Sequence, residues 1–486
     1  MRSAYAIVPT WFVTLAILGS CGTDDNTRAI EYCIPLEAGS ELPVARVLLG
    51  YERFSSESRP AVSDTNRFLV ASEIPITVVG DGLMETGVVE LARTSLAVLD
   101  ANSDEVVGRA IFWDVDALRM LVPSLGTPGQ SVRYDGILGG DLLRKHTVRL
   151  VYDGDTTCAL PWLDSSFAPP SIKFASALPD SDGELGNDGF AVIDYRLAGG
   201  GTAMVDDREL QFGATRVAVG VCVEPDAYWP DGDPVMTVDC TNLEAQLEAL
   251  IPVTGVDAFG LIATGTQPLV LTESFYENLS GQMGAGWPDG GVTATTVDLP
   301  EGTVDAARVE LSRVALVGDR HDNRGPCAEL ALRRRIDLAL RFCPTRVRSE
   351  VAKSGASVLE VDTQRATGAL QASLPAYRIP DSTMLMSGLQ AEVSTQIPGI
   401  DLLVGAALLH HFELWIDYPD SRIVMRCMNW VDPVSTSDAT EDTTGRPVLP
   451  CVHASAGETC CAGEAGLECR CEGSPCCQYY RWSAPN

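Results

Sequence analysis

The stretch YDGILGGDLLRKHTVRLVYD at residues 134–153 has a counterpart at residues 400–418, which reads IDLLVGAALLHHFELWIDY. Each stretch contains an apolar pair, a glycine, two further residues and Leu-Leu, and then an alternating segment that ends near Tyr and Asp. Alternation of apolar and polar residues is typical of a β-strand. The shared pattern predicts an internal repeat, and therefore two related lobes.

This repeated pattern resembles the hydrophobic-hydrophobic-glycine element that closes each lobe of the pepsin-like and retroviral-protease-like aspartic peptidases. In that family the element lies behind an Asp-Thr-Gly loop, and a short helix and a strand follow it. The resemblance implies a mostly β, bilobed, pepsin-like double β-barrel. It also implies that an Asp-Thr-Gly loop precedes each of the two repeats.

In the second half of the chain, residues 259–272 (FGLIATGTQPLVLT) are similar to the family's apolar strand, loop and downstream segment. Ala263 stands at the position of the aspartate. Thr264, Gly265 and Thr266 keep the hydroxyl and glycine chemistry of the loop. The resemblance therefore implies a degenerate catalytic loop, in which the fold survives and the acid is lost.

In the first half, the best match to the loop is Asp64-Thr65-Asn66, where Asn tolerates the left-handed backbone that Gly adopts more easily. Asp64 is the candidate catalytic acid, with Thr65 beside it. An exposed turn is the alternative interpretation of this site. A competing match at Asp100 leaves too short a segment for a flap hairpin, and we interpret it as a β-turn.

Aspartic proteolysis needs two neighbouring carboxylates that share one proton. Asp64 opposite Ala263 lacks such a partner, and general acid–base assistance contributes roughly 10²–10⁴ in rate. The resemblance thus favours an impaired protease whose inter-lobe cleft binds an extended peptide or protein. Two alternatives stay open: an active endopeptidase that uses Asp64 with a non-standard second acid, and a surface scaffold that binds through its Cys-rich tail.

The N-terminus predicts export and lipid anchoring. Arg2 precedes an apolar run from Ala4 to Leu18, which is long enough for a signal peptide and short for a membrane-spanning helix. The run ends at Leu-Gly-Ser before Cys21, which resembles a bacterial lipobox with Cys21 as the lipidated residue. An ordinary secretory signal with a nearby Cys is the alternative. Gly22 after the anchor favours the outer membrane or cell surface over the inner membrane.

Charge and residue content exclude several other functions. The chain has 35 Lys+Arg and 66 Asp+Glu, a formal charge of −31, so a nucleic-acid partner is not expected. Its five histidines show no paired metal-ligand spacing, and neither a metal site nor a cofactor is predicted. The predicted partners are the membrane, through the lipid, and a peptide or protein.

The predicted domain organisation follows from changes in composition along the chain. It comprises a signal peptide (1–20), a tether (21–39), an N-terminal lobe (40–165), a C-terminal lobe (166–430), an acidic Ser/Thr-rich linker (431–450) and a Cys-rich module (451–486).

The fifteen cysteines indicate an oxidising compartment, and without Cys21 they leave an even number. Cys222 and Cys240 form a plausible pair, and Cys427 is the nearest outside partner for the odd number of cysteines in the tail. The candidate half-cystines are Cys222, Cys240, Cys427, Cys451, Cys460, Cys461, Cys469, Cys471, Cys476 and Cys477.

Three local predictions concern the second lobe. Short amphipathic helices are expected at residues 243–250 and 273–283, the latter capped by Thr272. Residues 212–215 can turn one strand back on the next. Residues 327–343 are ambiguous, because they alternate like a strand while their composition favours a helix.

Overall fold

The structure is a computed structural model, and the structural statements below concern the residues that it describes. These are residues 32–37, 42–49, 65–80, 89–99, 110–120, 134–152, 170–175, 190–205, 208–224, 242–250, 252–283, 292–299, 302–317, 325–332, 335, 367–383, 399–409, 412–427, 452–453 and 476–480.

Strands dominate the described residues. In chain order the strands of the first half are β1 (Tyr32–Pro35), β2 (Val44–Leu49), β3 (Asn66–Val70), β4 (Val78–Gly80), β5 (Val89–Leu99), β6 (Ala110–Met120), β7 (Gly136–Leu138), β8 (Thr147–Val151) and β9 (Ser171–Ala175). Those that follow are β10 (Phe190–Asp194), β11 (Arg196–Ala198), β12 (Gly201–Val205), β13 (Arg208–Phe212), β14 (Arg216–Glu224), β15 (Val256–Ala263), β16 (Leu269–Thr272), β17 (Thr293–Leu299), β18 (Gly302–Val317), β19 (Thr367–Ile379), β20 (Leu402–Gly405), β21 (Phe412–Asp417), β22 (Arg422–Cys427), β23 (Val452–His453) and β24 (Cys476–Tyr480). The helices are α1 (Gly140–Leu143), α2 (Leu243–Leu250), α3 (Glu273–Met283), α4 (326–332) and α5 (Ala406–Leu409).

Two sets of six strands pair in the same way. In the first set the barrel closes in the order β2-β3-β7-β4-β6-β5. In the second set β14, β15, β20, β16, β19 and β18 pair in the corresponding order, and β18 closes back on β14. Each pairing is parallel or antiparallel in both sets alike. This agreement confirms the predicted pair of related β-barrel lobes.

Hydrogen bonds around the two repeats match as well. The amide of Arg67 donates to Asp135 Oδ2 at 2.8 Å, and the amide of Phe259 donates to Asp401 Oδ2 at 2.9 Å. Both aspartates occupy the second position of their repeat. The two lobes are therefore equivalent down to individual side-chain contacts.

A six-stranded sheet joins the two lobes. Its order is β1-β9-β8-β21-β22-β10, and the antiparallel pair β8–β21 at its centre takes one strand from each repeat. Phe174, Leu150 and Leu414 on this sheet belong to one large buried cluster that extends into both lobes. At roughly 25 cal/mol per Å² of buried apolar surface, such a continuous core favours a fixed arrangement of the lobes.

Both predicted helices are present with the expected bounds, as α2 and α3. Thr272 caps α3, because its hydroxyl accepts the amide of Phe275 at 3.1 Å. The ambiguous segment after residue 325 begins as helix α4. Its helix-forming composition thus outweighs its alternation over the residues described.

The predicted hairpin at residues 212–215 is wrong. The chain does turn there, but β13 pairs with β12 rather than with β14. β14 pairs instead with β11, β15 and β18, and all nine of its residues are buried. A strand that is buried along its whole length, with an apolar stretch from Val217 to Val223, fits the centre of a sheet and not the outer strand of a hairpin.

The predicted pairing of Cys222 with Cys240 is also wrong. Cys222 on β14 is bonded to Cys327 on α4, with a Cα–Cα distance of 4.8 Å. The pair lies in a small buried cluster that includes Ala315 and Leu330, so the disulfide attaches α4 to the sheet. Cys33 is disulfide-bonded too.

The other predicted half-cystines are not tested. Cys240, Cys451, Cys460, Cys461, Cys469 and Cys471 lie outside the described residues, and of Cys427, Cys476 and Cys477 only the backbone strands are described. The predicted lipidation residue, Cys21, also lies outside the described residues. From the tail, β24 pairs with β19 at the edge of the second lobe's sheet. Within the described ranges, no helix combines the length and the apolar character needed to cross a membrane.

Candidate functional site

Two loops meet where the lobes join. One follows β3 and begins with Ala71, and the other begins with Ala263, the last residue of β15. The strand register makes these two alanines equivalent, because Val70 pairs with Leu138 on β7 as Ile262 pairs with Val404 on β20. Each loop is thus presented at the end of the same strand of its own lobe.

The hydroxyl residues that follow the two alanines form reciprocal hydrogen bonds across the junction. The Ser72 amide donates to Thr264 Oγ1 at 3.0 Å, and the Thr264 amide donates to Ser72 Oγ at 3.3 Å. The Thr264 hydroxyl donates to the Val70 carbonyl at 2.9 Å, and the Ser72 hydroxyl donates to the Ile262 carbonyl at 2.6 Å. This approximate two-fold arrangement holds the two loops together.

Thr264, Gly265 and Thr266 of the predicted second loop lie at the junction, whereas Thr65 and Asn66 of the predicted first loop do not. Asn66 is the first residue of β3 and lies at the opposite end of that strand from the junction, with Thr65 immediately before it. Asp64 lies outside the described residues. The segment that opposes Thr264 is Ala71-Ser72-Glu73.

A sequence signal for the first loop does exist. Residues 69–72 read Leu-Val-Ala-Ser, and residues 261–264 read Leu-Ile-Ala-Thr. A search for an acidic residue does not find this match, because alanine precedes the hydroxyl residue in both segments. A search for the hydroxyl residue after an apolar run would find it.

Glu73 places a carboxylate between the loops. Its Oε1 accepts the Thr266 hydroxyl at 2.9 Å, and its Oε2 accepts the Gly265 amide at 3.2 Å, so a first-lobe side chain binds two donors of the second lobe. The residue is fully buried. Burial raises the pKa of the Glu73 carboxyl to about 7, although its hydrogen bonds and Arg216 act in the opposite direction.

Three further polar side chains surround this carboxyl. Arg216 Nε donates to the backbone carbonyl of Glu73 at 2.6 Å. Burial lowers the pKa of Arg216 to about 10, against the opposing effect of Glu73. Burial, and to a smaller extent the charge of Glu73, raise the pKa of the Tyr152 and Tyr418 phenols. Neither phenol oxygen has a hydrogen-bond partner among the described residues.

Apolar side chains pack around each alanine. Ala71 belongs to a cluster with Leu69 and Ile137, and Ala263 belongs to a cluster with Leu261 and Leu403 in the equivalent positions. Both alanines have 0% of their surface exposed. The two alanine side chains are therefore enclosed by apolar residues and closed to solvent.

No group of three or more His, Cys, Asp or Glu side chains that could hold a metal ion occurs among the residues that the structure describes. The chemistry available at the junction comes from the Glu73 carboxylate, the hydroxyls of Ser72, Thr264 and Thr266, and the backbone amides.

No protein-family profile and no curated protein sequence matches this chain. Among solved structures, basic 7S globulin from soybean is similar with a TM-score of 0.35 and 10% identity, over 82% of this chain and 94% of that one. An aspartic proteinase from Irpex lacteus is similar with a TM-score of 0.33 and 12% identity, over 84% of this chain and 100% of that one. Both similarities are distant. The mostly β, two-lobed fold is established by the matched strand pairings of the two lobes.

Proposed function

We propose that this chain is a catalytically inactive protein with an aspartic-protease-like fold, and that it acts by binding an extended peptide or a protein segment. One observation carries the proposal: Ala71 and Ala263 precede the interlocked residues Ser72 and Thr264, at both positions where the resembled family has aspartate. The hydroxyl residues that hold the two loops together are present, and neither loop has the aspartate.

The chemical consequence follows from the side chains. A methyl group can neither activate water nor protonate a leaving group, and general acid–base assistance contributes roughly 10²–10⁴ in rate. Glu73 does not restore a pair, because it is a single, fully buried carboxylate whose two oxygens accept hydrogen bonds from the second loop. Proteolysis by a shared-proton pair is therefore not expected.

An activity assay tests the first half of the proposal. The purified protein is incubated with an unstructured protein substrate from acid to neutral pH, and no cleavage is expected. A triple variant, Ala71→Asp with Glu73→Gly and Ala263→Asp, rebuilds two Asp-hydroxyl-Gly loops and is expected to gain acid-pH cleavage. The matched control carries Ala71→Asp and Glu73→Gly without the third change, and it is expected to remain inactive.

Cleavage by the unmodified protein would contradict the proposal. If that cleavage disappeared in Asp64→Asn, the alternative of an active endopeptidase that uses Asp64 would be supported instead. If it disappeared in Glu73→Gln, the carboxylate at the junction would be the acid.

Binding is tested by fluorescence anisotropy with a labelled, unstructured protein, for which saturable binding that the unlabelled protein competes is expected. Extended peptides commonly bind to such folds by β-type pairing. Ser72 and Thr264 hold the loops of the two lobes together, so a ligand bound between the lobes acts on this contact. We therefore expect binding to change hydrogen exchange at the amides of Ser72 and Thr264. An absence of saturable binding would refute this role.

The Cys-rich tail offers a second place for binding. Its residues 476–480 form β24, which pairs with β19 of the second lobe. Removal of residues 431–486 distinguishes the two sites. Binding that persists in a truncated protein with an unchanged unfolding midpoint supports the inter-lobe site. Binding that is lost in such a protein assigns it to the tail.

We further propose that Cys21 carries the lipid anchor that holds the protein at the cell envelope, on the outer membrane or cell surface. The lipobox-like sequence before Cys21 supports this proposal. Several acyl chains suffice for stable attachment, since each buried methylene contributes about 0.8 kcal/mol. In a bacterial host, labelled fatty acid is expected on the protein and absent from Cys21→Ser. Equal labelling of both would refute the assignment.

A further inference from the structure

The hydrogen-bond donors that Glu73 binds are those that an aspartate at position 263 would bind. Asp side chains commonly accept the backbone amide two residues ahead, as in an Asx turn. For position 263 that amide is Gly265, and the adjacent hydroxyl is Thr266. In this structure both donors point instead at the carboxylate of Glu73, which comes from the other lobe.

We propose that Glu73 supplies, from the first lobe, the carboxylate that the second loop lacks, and that it is the residue that positions the second loop. The Glu73 side chain reaches across the junction from the first lobe to Gly265 and Thr266. An aspartate at position 263 would lie in the same loop as these donors and would not have to cross the junction. The second loop thereby keeps the conformation that its own sequence no longer provides for.

Steric relations at the junction agree with this assignment. A Cβ added to Gly265 would lie 2.5 Å from the Ala71 Cβ and 3.0 Å from Glu73 Oε1. The carboxylate therefore fits because residues 71, 263 and 265 are all small. A carboxylate at 71 or 263 would crowd Glu73, and two like charges would be brought together in a buried place. The two alanines thus leave the space that the Glu73 carboxylate occupies.

The remaining groups around Glu73 do not provide a competing acceptor for the second loop. Arg216 of β14 donates to the Glu73 carbonyl, and Tyr152 and Tyr418 present phenols. Among the hydrogen bonds of the described residues, Glu73 is the carboxylate that reaches the Gly265 amide. The Gly265 amide therefore depends on this one acceptor.

A double-mutant cycle tests the proposal through urea unfolding at pH 5. Ala263→Asp alone is expected to destabilise the protein, because two carboxyls compete for one pair of donors. Glu73→Gly alone is expected to destabilise it, because the donors lose their acceptor. The double variant again has one acceptor for this pair of donors. Its unfolding equilibrium constant is therefore expected to be about tenfold smaller than the value obtained when the effects of the two single variants are multiplied.

The control cycle combines Glu73→Gly with Ala294→Asp, an exposed position on β17 that shares no donor with Glu73. It is expected to be additive within about twofold. Additivity in the Ala263 cycle as well would overturn the proposal. The readout is stability alone, so the outcome is independent of any protease activity or peptide binding.

If Glu73→Gly does not fold, Glu73→Gln provides the second test. Its amide oxygen can still accept the Gly265 amide, so protection of that amide from hydrogen exchange is expected to stay within about threefold of the unmodified protein. In Glu73→Leu, which fills the space without an acceptor, protection is expected to fall more than about tenfold. Equal protection in the Gln and Leu variants would overturn the proposal.

Discussion

Replacing Glu73 with Gln should remove a large pH dependence from the stability of the protein. Burial raises the pKa of the Glu73 carboxyl from 4.5 to about 7. The native state therefore holds this proton more tightly than the unfolded chain does. The associated stability is fully present below pH 4.5, and it is lost as the pH rises to about 7. The shift corresponds to a loss of about 3 kcal/mol in the free energy of unfolding.

Gln is the appropriate substitution because it removes the charge and keeps the contacts. Its amide oxygen can accept the Gly265 amide, and its NH₂ group can donate to the Thr266 hydroxyl, which accepts as readily as it donates. Gln and Glu have nearly the same size and shape, so the substitution leaves no cavity that would itself lower the stability. The difference between the two proteins then reports the ionisation of one carboxyl.

Urea unfolding with the disulfides intact measures the effect. Between pH 4.5 and about pH 8, the unmodified protein is expected to lose about 3 kcal/mol more than Glu73→Gln. Asp401, whose pKa burial raises to about 6, is common to both proteins and cancels in the difference. The control is Glu277→Gln, which removes an exposed carboxylate. A difference between wild type and Glu73→Gln below about 1 kcal/mol would refute the reasoning.

Three further outcomes are expected, each measured by the urea dependence of unfolding. Ser72→Ala removes the cross-lobe hydrogen bonds that the Ser72 hydroxyl makes with Ile262 and Thr264, and it should cost about 1–3 kcal/mol. An unchanged midpoint would contradict the interlocking of the loops. Gly405→Ala should cost about 1–3 kcal/mol or prevent folding, because its Cβ would collide with three backbone carbonyl oxygens. Gly281→Ala on α3 is the contrasting change: its Cβ would have no neighbouring atom within 4 Å, and it should stabilise the protein by about 0.5–1 kcal/mol. Replacing Cys222 and Cys327 together by alanine should cost about 4–5 kcal/mol for a loop with a sequence separation of 105, and a loss below about 1 kcal/mol would argue against the pairing.

Much of the fold could be predicted from local sequence patterns. The repeat at residues 134–153 and 400–418 indicates two lobes because each copy must close a barrel of its own. Helix α3 could be predicted because Thr272 and the spacing of apolar residues act within a few positions of each other. Such signals need no knowledge of the rest of the molecule.

The first-lobe loop could not be found in the same way, because the search depended on an aspartate. Asp64 satisfied that search, although the segment at the junction is Ala71-Ser72-Glu73. The role of Glu73 is also invisible in the sequence, since its partners lie 192 and 193 residues further along the chain. Only the folded arrangement of the lobes brings them together.

The cysteine pairing was missed for a similar reason. Proximity in sequence favoured Cys240 as the partner of Cys222, but the bond is made to Cys327. That choice depends on where α4 packs against β14 and β18, which is a property of the tertiary structure. Disulfide connectivity therefore required the fold to be known first.

Glu73 has a consequence for the history and the engineering of the two halves. In a duplicated protein each copy can, in principle, begin as a self-sufficient unit. Here the second copy has no acceptor of its own for the Gly265 amide and relies on a side chain encoded about two hundred residues earlier. The second half therefore depends on the first, and expressed alone it would need Ala263→Asp before its loop could be autonomous.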